Sequence, residues 1–169
     1  WNVSNVENMS GIFKNTPFNQ DIGGWDVSNV EDMSSMFEQS QFNRDISEWD
    51  VSNVEDMSNM FSHSKFNHNL GKWKFCTWGV DLNKLFDRSR MDCDNLTATL
   101  IGWEKNNPDV RDVELGANTL RYGTAAIEAI RIFREERGWR IWGATASDEP
   151  CDALLSVEDQ SMISEISIL

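Results

Sequence analysis

The sequence predicts an α/β repeat solenoid, a stack of coils of about 24 residues each, closed by an α+β C-terminal cap. The string WDVSNVEDMS begins at Trp25 and again at Trp49, and WNVSNVENMS at Trp1 is nearly the same. Trp1, Trp25, Trp49 and Trp73 keep this spacing, and the apolar residues between them recur in columns such as Val6/Val30/Val54, Met9/Met33/Met57, Ile12/Met36/Met60, Phe13/Phe37/Phe61 and Phe18/Phe42/Phe66. One coil cannot bury such residues against itself, so each column is expected to stack as a ladder between neighbours.

Within a coil, WDVSNV and FNQDI are short and rich in alternating or β-branched apolar residues, and read as strand-like or extended segments. Between them DMSSMFEQS places Met33, Met36 and Phe37 at i, i+3 and i+4, the face of a short helical turn. Asp32 and Asp56 precede that face as N-caps, with Asn8 in the same place in the first copy. The fourth copy, WKFCTWGVDLNKLFDRSRMD, keeps Trp73, Leu82, Leu85, Phe86 and Met91 but loses Val-Ser-Asn-Val and gains one residue before the turn. Residues 1–92 therefore read as the repeat region.

Residues 93–143 read as a capping unit, because a solenoid's last coil must cover core and strand edge. A helix opens at Asp94 or Asn95 with Leu96, Leu100 and Trp103 inward, and DVELGAN is a strand. Thr124 caps a helix over Ala125–Arg137 whose inner face is Ile127, Ile130 and Phe133; Gly138 stops it and WRIW is the last strand. Residues 144–169 have no Lys or Arg and read as an acidic tail or linker, although ALLSV and MISEISIL have the pattern of a strand or short helix that docks on a neighbour.

The string FNRDISEWDVSNVEDMSNMF, from Phe42 to Phe61, resembles the BspA-like repeat of bacterial surface proteins, a relative of leucine-rich repeats also met in mycoplasma lipoproteins. The resemblance covers residues 1–72 well and 73–92 loosely, and an LIGW, LGA and GW ending accompanies these repeats in that family. It implies a curved leucine-rich-repeat-like fold, an extracellular or cell-surface location, and a role in adhesion or protein contact.

The formal net charge of −13 argues against nucleic acid, whose phosphates need clustered Lys and Arg. No run approaches the roughly 18–20 apolar residues needed to span a bilayer. Trp1 stands in register with the later copies, so a longer parent chain is expected and the lack of a signal peptide says nothing. Cys76, Cys93 and Cys151 show no zinc or thioredoxin-like spacing. A Cys76–Cys93 disulfide in an oxidising compartment and two buried free thiols are the alternative readings of that pair.

Nothing assembles into catalytic machinery: Ser28 and Ser52 belong to the repeat, no nucleotide or nucleophile-elbow motif is present, and no cofactor is expected. A non-enzymatic protein follows. Glu7, Glu31 and Glu55 form an acidic ladder, either splayed into water or, as weak candidates, sharing a hard cation such as calcium. The columns Asn5/Asn29/Asn53 and Asn19/Asn43/Asn67 read as buried turn residues bonding the backbone of their own and adjacent coils. Sequons at Asn2, Asn8 and Asn95 read as chance.

Positions that change between copies are where a contact surface is diversified without disturbing the ladders, with neutral drift of solvated positions as the plain alternative. They single out Gln39, Gln41, Arg44, Glu48, His63, Lys65 and His68, with Arg44 as the expected anchor. His63 and His68 also fit ordinary polar surface positions. The expected function is a surface binding module that contacts a protein or glycan ligand. The alternative is a structural building block of a surface layer, fibre or virion, contacting copies of itself or neighbouring subunits.

Overall fold

The computed structural model describes residues 1–148 and 151. Successive copies lie parallel and in register through bridges Asn8 to Asp32, Asp32 to Asp56 and Asp56 to Asp81. The last step is one residue longer, which locates the insertion of the fourth copy. The ladder does not stop at residue 92: Leu82 bridges Leu115 in β1 (Glu114–Gly116), and β1 pairs in parallel with β3 (Arg140–Trp142). Beside it β2 (Arg121–Tyr122) pairs in parallel with β4 (Thr145–Ala146). Two helices, α1 (Cys93–Asn106) and α2 (Ile127–Arg131), stand between these rungs.

The backbone inside each copy differs from the expected strand, helix and strand. WDVSNV folds as a turn, with Val30 N–H on Val27 O at 2.9 Å, because Asp26 Oδ1 accepts from both the N–H and the hydroxyl of Ser28. These two bonds hold the Asp26 carboxyl below its usual pKa range. Asp32 is likewise not a helix cap, since its Oδ1 accepts from the N–H and hydroxyl of Ser34, two residues on. The segment after it is a run of tight turns, Met36 N to Met33 O, Glu38 N to Ser35 O and Ser40 N to Phe37 O. Ser35 and Gln39 have φ of 55°, in the left-handed region, through which a right-handed helix cannot pass. The gain is a lateral ladder: the N–H groups of Met33, Ser35, Phe37 and Gln39 reach the carbonyls of Asp56, Ser58, Met60 and Ser62 in the next copy.

From Val27 onward the core columns are buried as their spacing implies, whereas Val3, Val6 and Phe18 of the first copy are only partly buried. Phe37 stacks on Phe13 at 5.7 Å and on Phe61 at 5.8 Å, and Phe61 on Phe86 at 5.8 Å. The tryptophan column supplies hydrogen bonds as well as area: the indole N–H of Trp49, Trp73 and Trp103 donates to the carbonyls of Ile22, Ile46 and Leu70, which lie 27, 27 and 33 residues earlier in the chain. Trp103 on α1 thus takes over a role that the repeats give to their leading tryptophan. Ile12 is exposed where its counterparts Met36 and Met60 are fully buried.

Helix α1 opens at Cys93, one or two residues earlier than expected, with Asp92 as N-cap accepting from Asn95 N at 2.8 Å. The second helix is less regular: a 3-10 turn at Thr124–Ala126 precedes α2, and a π turn at Ile132–Glu136 follows it. Thr124 makes no side-chain cap, and Ile127 is exposed while Ile130 and Phe133 are buried, so the inner face of this helix is narrower than expected. Gly138, at φ 69°, makes the expected stop. Cys93 is bonded to Cys151, with Cα atoms 5.4 Å apart, while Cys76 is a buried free thiol. The Cys76–Cys93 pairing is therefore corrected. Thr145 and Ala146 in β4 and the bonded Cys151 also tie the start of the 144–169 segment to the body, whereas ALLSV and MISEISIL lie outside the described residues.

Candidate functional site

The sequence-predicted contact residues fall into separate places. Gln41 and Lys65 come together with Arg90, their counterpart in the fourth copy, because Gln41, Lys65 and Arg90 N–H groups bond the carbonyls of Thr16, Ser40 and Ser64 in successive coils. With Asn19, Asn43 and Asn67 they line an open groove of about 610 Å³. Its floor is rigid, since Asn43 N donates to Asn19 Oδ1 and Asn67 N to Asn43 Oδ1, both at 2.8 Å. These asparagines, and Asn5, Asn29 and Asn53, are at least partly exposed rather than buried, although Asn19, Asn29, Asn43, Asn53 and Asn67 do bond across coils as expected. Arg44 borders the groove, its Nε donating to Asn19 O at 2.9 Å. That bond orients the guanidinium while leaving its terminal nitrogens at the surface.

Gln39 and His63 sit elsewhere, on the turn ladder. Asn15, Gln39, His63 and Arg88 have φ of 58°, 55°, 57° and 54°, so this variable column carries a backbone constraint that variation alone does not reveal. His63 lines a second depression of about 530 Å³ with Glu38, Lys84 and Asp87, and its Nδ1 lies 3.0 Å from Ser62 Oγ. A left-handed L-residue costs about 1–2 kcal/mol, and glycine escapes most of it. Gln39→Gly is therefore expected to raise stability by up to about 1 kcal/mol and Gln39→Val to lower it, as urea denaturation would read.

Glu48 forms an exposed ion pair with Lys72, which raises the Lys72 pKa and contributes little to stability. His68 is half-buried, its Nε2 shielded from solvent without a hydrogen-bond partner among the described residues, and its ring lies 5.6 Å from Phe66, so it is not an ordinary surface position. Glu7, Glu31 and Glu55 line a third groove, of about 470 Å³, with Asn5, Asn29, Asn53 and Trp78. Among the described residues no group of three or more His, Cys, Asp and Glu side chains is placed to hold a metal ion, so these glutamates do not converge as a calcium cage. Trp78 is 74% exposed and was not singled out from the sequence, though it lies in the fourth copy's departure from the repeat.

A family described as Mycoplasma protein of unknown function, DUF285, matches residues 1–99, which comprise the four copies and the first half of α1. The chain belongs to this family. No curated protein and no solved structure matches it. Family membership adds no ligand, so the geometry of the grooves carries the functional reading. Among the described residues no helix is long and apolar enough to cross a membrane.

Proposed function

We propose that the chain is a BspA-like, leucine-rich-repeat-like solenoid that acts as a non-enzymatic binding module at a cell surface, contacting a protein or glycan ligand through the Gln41, Lys65 and Arg90 groove. The observation that carries this reading is the division of labour within each coil. Every aromatic of the repeat ladders from Phe37 to Phe86 is buried, while one cross-coil column, Gln41, Lys65 and Arg90, changes chemistry on an unchanged asparagine floor. Such a surface can be altered residue by residue without a packing cost. Residues 93–148 serve as the cap in this reading. The Cys93–Cys151 disulfide supports an oxidising, extracellular setting, where such bonds persist.

Lys65 and Arg90 offer donors only, so carboxylates, sulfates or carbonyl-rich segments are the favoured contacts. Arg44 adds a planar fork beside them. Screening of glycan arrays and surface-protein extracts should yield a ligand whose affinity drops about tenfold or more in a Gln41→Ala, Arg44→Ala, Lys65→Ala variant with an unchanged melting midpoint. Full retention of binding by this variant would sink the reading of this face. Self-association as the sole interaction would favour the structural building block instead.

A further inference from the structure

We infer that the groove of Glu7, Glu31, Glu55 and Trp78 is a second docking surface, for an extended protein segment bearing lysine or arginine. This face is distinct from the Gln41 groove, so either assignment can fail alone. Three observations converge on it.

The first is the arrangement of acceptors. Glu31 N donates to Glu7 O and Glu55 N to Glu31 O, both at 2.8 Å, which holds the three glutamate backbones one rung apart, about 4.8 Å, so that their side chains leave from adjacent rungs into one groove. The Nδ2 groups of Asn29 and Asn53 are held at 2.7 Å on the carbonyls of Ser4 and Ser28. Their Oδ1 atoms remain as acceptors beside the carboxylates. The groove thus presents acceptors to its occupant, and the side chains that carry only donors are Lys and Arg.

The second is charge. Like charges on adjacent rungs repel, and among the described residues neither Lys nor Arg lines the groove to neutralise them. The ion pairs among the described residues, Lys14 with Glu38 and Lys72 with Glu48 in the repeats, lie on other faces. A cationic segment would relieve that repulsion, and the net charge of −13 would steer it inward.

The third is Trp78. The fourth copy retains the buried ladder through Leu82, Leu85 and Phe86, yet it places a large indole in water at the end of the acidic row. Its Nε1 donates to Glu55 Oε1 at 3.2 Å, which anchors the ring against the groove. An indole fixed beside carboxylates is a platform for a guanidinium or ammonium through its π face.

Calorimetric titration with an uncharged-ended hexa-arginine peptide tests this. Wild type should bind, and affinity should fall as salt rises. Glu31→Gln should weaken binding by about tenfold and Trp78→Ala by about two- to fivefold, because an exposed cation–π contact is the smaller contribution. Both residues are exposed, so the fold should survive, which circular dichroism would check. Glu135→Gln on the π turn makes the same charge change elsewhere and should leave affinity within twofold. Equal losses in Glu31→Gln and Glu135→Gln, or no binding by wild type, would overturn the proposal. So would a neutral oligosaccharide that needs Trp78 but is indifferent to Glu31→Gln.

Discussion

Phe37→Ala is expected to lower unfolding free energy by about 3–5 kcal/mol, the range for truncating a buried aromatic. For a chain of this size that amounts to a melting midpoint lower by roughly 6–20 °C. Phe37 is fully buried and central: it touches Phe13 and Phe61 in the flanking copies, Phe42 at 3.9 Å in its own copy, and Trp49 at 6.5 Å. No neighbour can collapse into the space, since each is itself held in a stacked column. The adjacent Glu38 makes the comparison. Burial disfavours its charged form, but hydrogen bonds from Lys14, Ser35 and Gln39 outweigh this and leave its pKa lowered. Its pair with Lys14, at 2.8 Å, involves a half-exposed lysine, so Glu38→Ala should cost less than about 1 kcal/mol. Equal losses at Phe37 and Glu38 in urea denaturation would refute the stacked-column account of stability.

Gly102→Ala tests tertiary packing against local preference. Helix propensity alone predicts a gain of about 1 kcal/mol, because Gly102 lies inside α1. The structure predicts the opposite sign. A Cβ on Gly102 would lie 2.4 Å from Gly71 Cα and 2.6 Å from Gly71 O, backbone atoms that no rotamer can move. Around that contact Thr99 Oγ1 accepts from Leu70 N and Asn106 Nδ2 donates to Gly71 O, so α1 is clamped against the third copy. Displacing it is expected to cost about 1–3 kcal/mol net. Gly24→Ala, with nothing within 4 Å of the added carbon, should stay within about 0.5 kcal/mol. A more stable Gly102→Ala variant would show that α1 packs more loosely than these distances require.

The candidate site was legible only in part. Comparing the copies pointed to Gln41 and Lys65, which do share a groove, because a position free to vary in stacked coils lies at the surface. The same comparison grouped Gln39 and His63 with them, although both residues lie on the turn ladder. Variation reports freedom of the side chain and is silent about the left-handed backbone beneath it. Arg90 escaped notice because the inserted residue moves it out of the spacing that relates Gln41 to Lys65. Trp78 escaped because an indole in a sequence is read first as core, and only coordinates show it in solvent.

By itself the sequence determined the period and the buried columns. These follow from side-chain chemistry repeated at one spacing: apolar residues leave water wherever they recur. Tertiary structure alone decided how the backbone meets its neighbours. DMSSMFEQS has the apolar spacing of a helix, but the N–H groups of Met33, Ser35, Phe37 and Gln39 pair with carbonyls in the next coil rather than in a preceding helical turn, and the left-handed backbone at Ser35 and Gln39 accompanies that pairing. The disulfide was settled in the same way. Chain spacing leaves any two of the three cysteines free to meet, and it is the start of α1 that brings Cys93 to Cys151 while Cys76 is enclosed in the core.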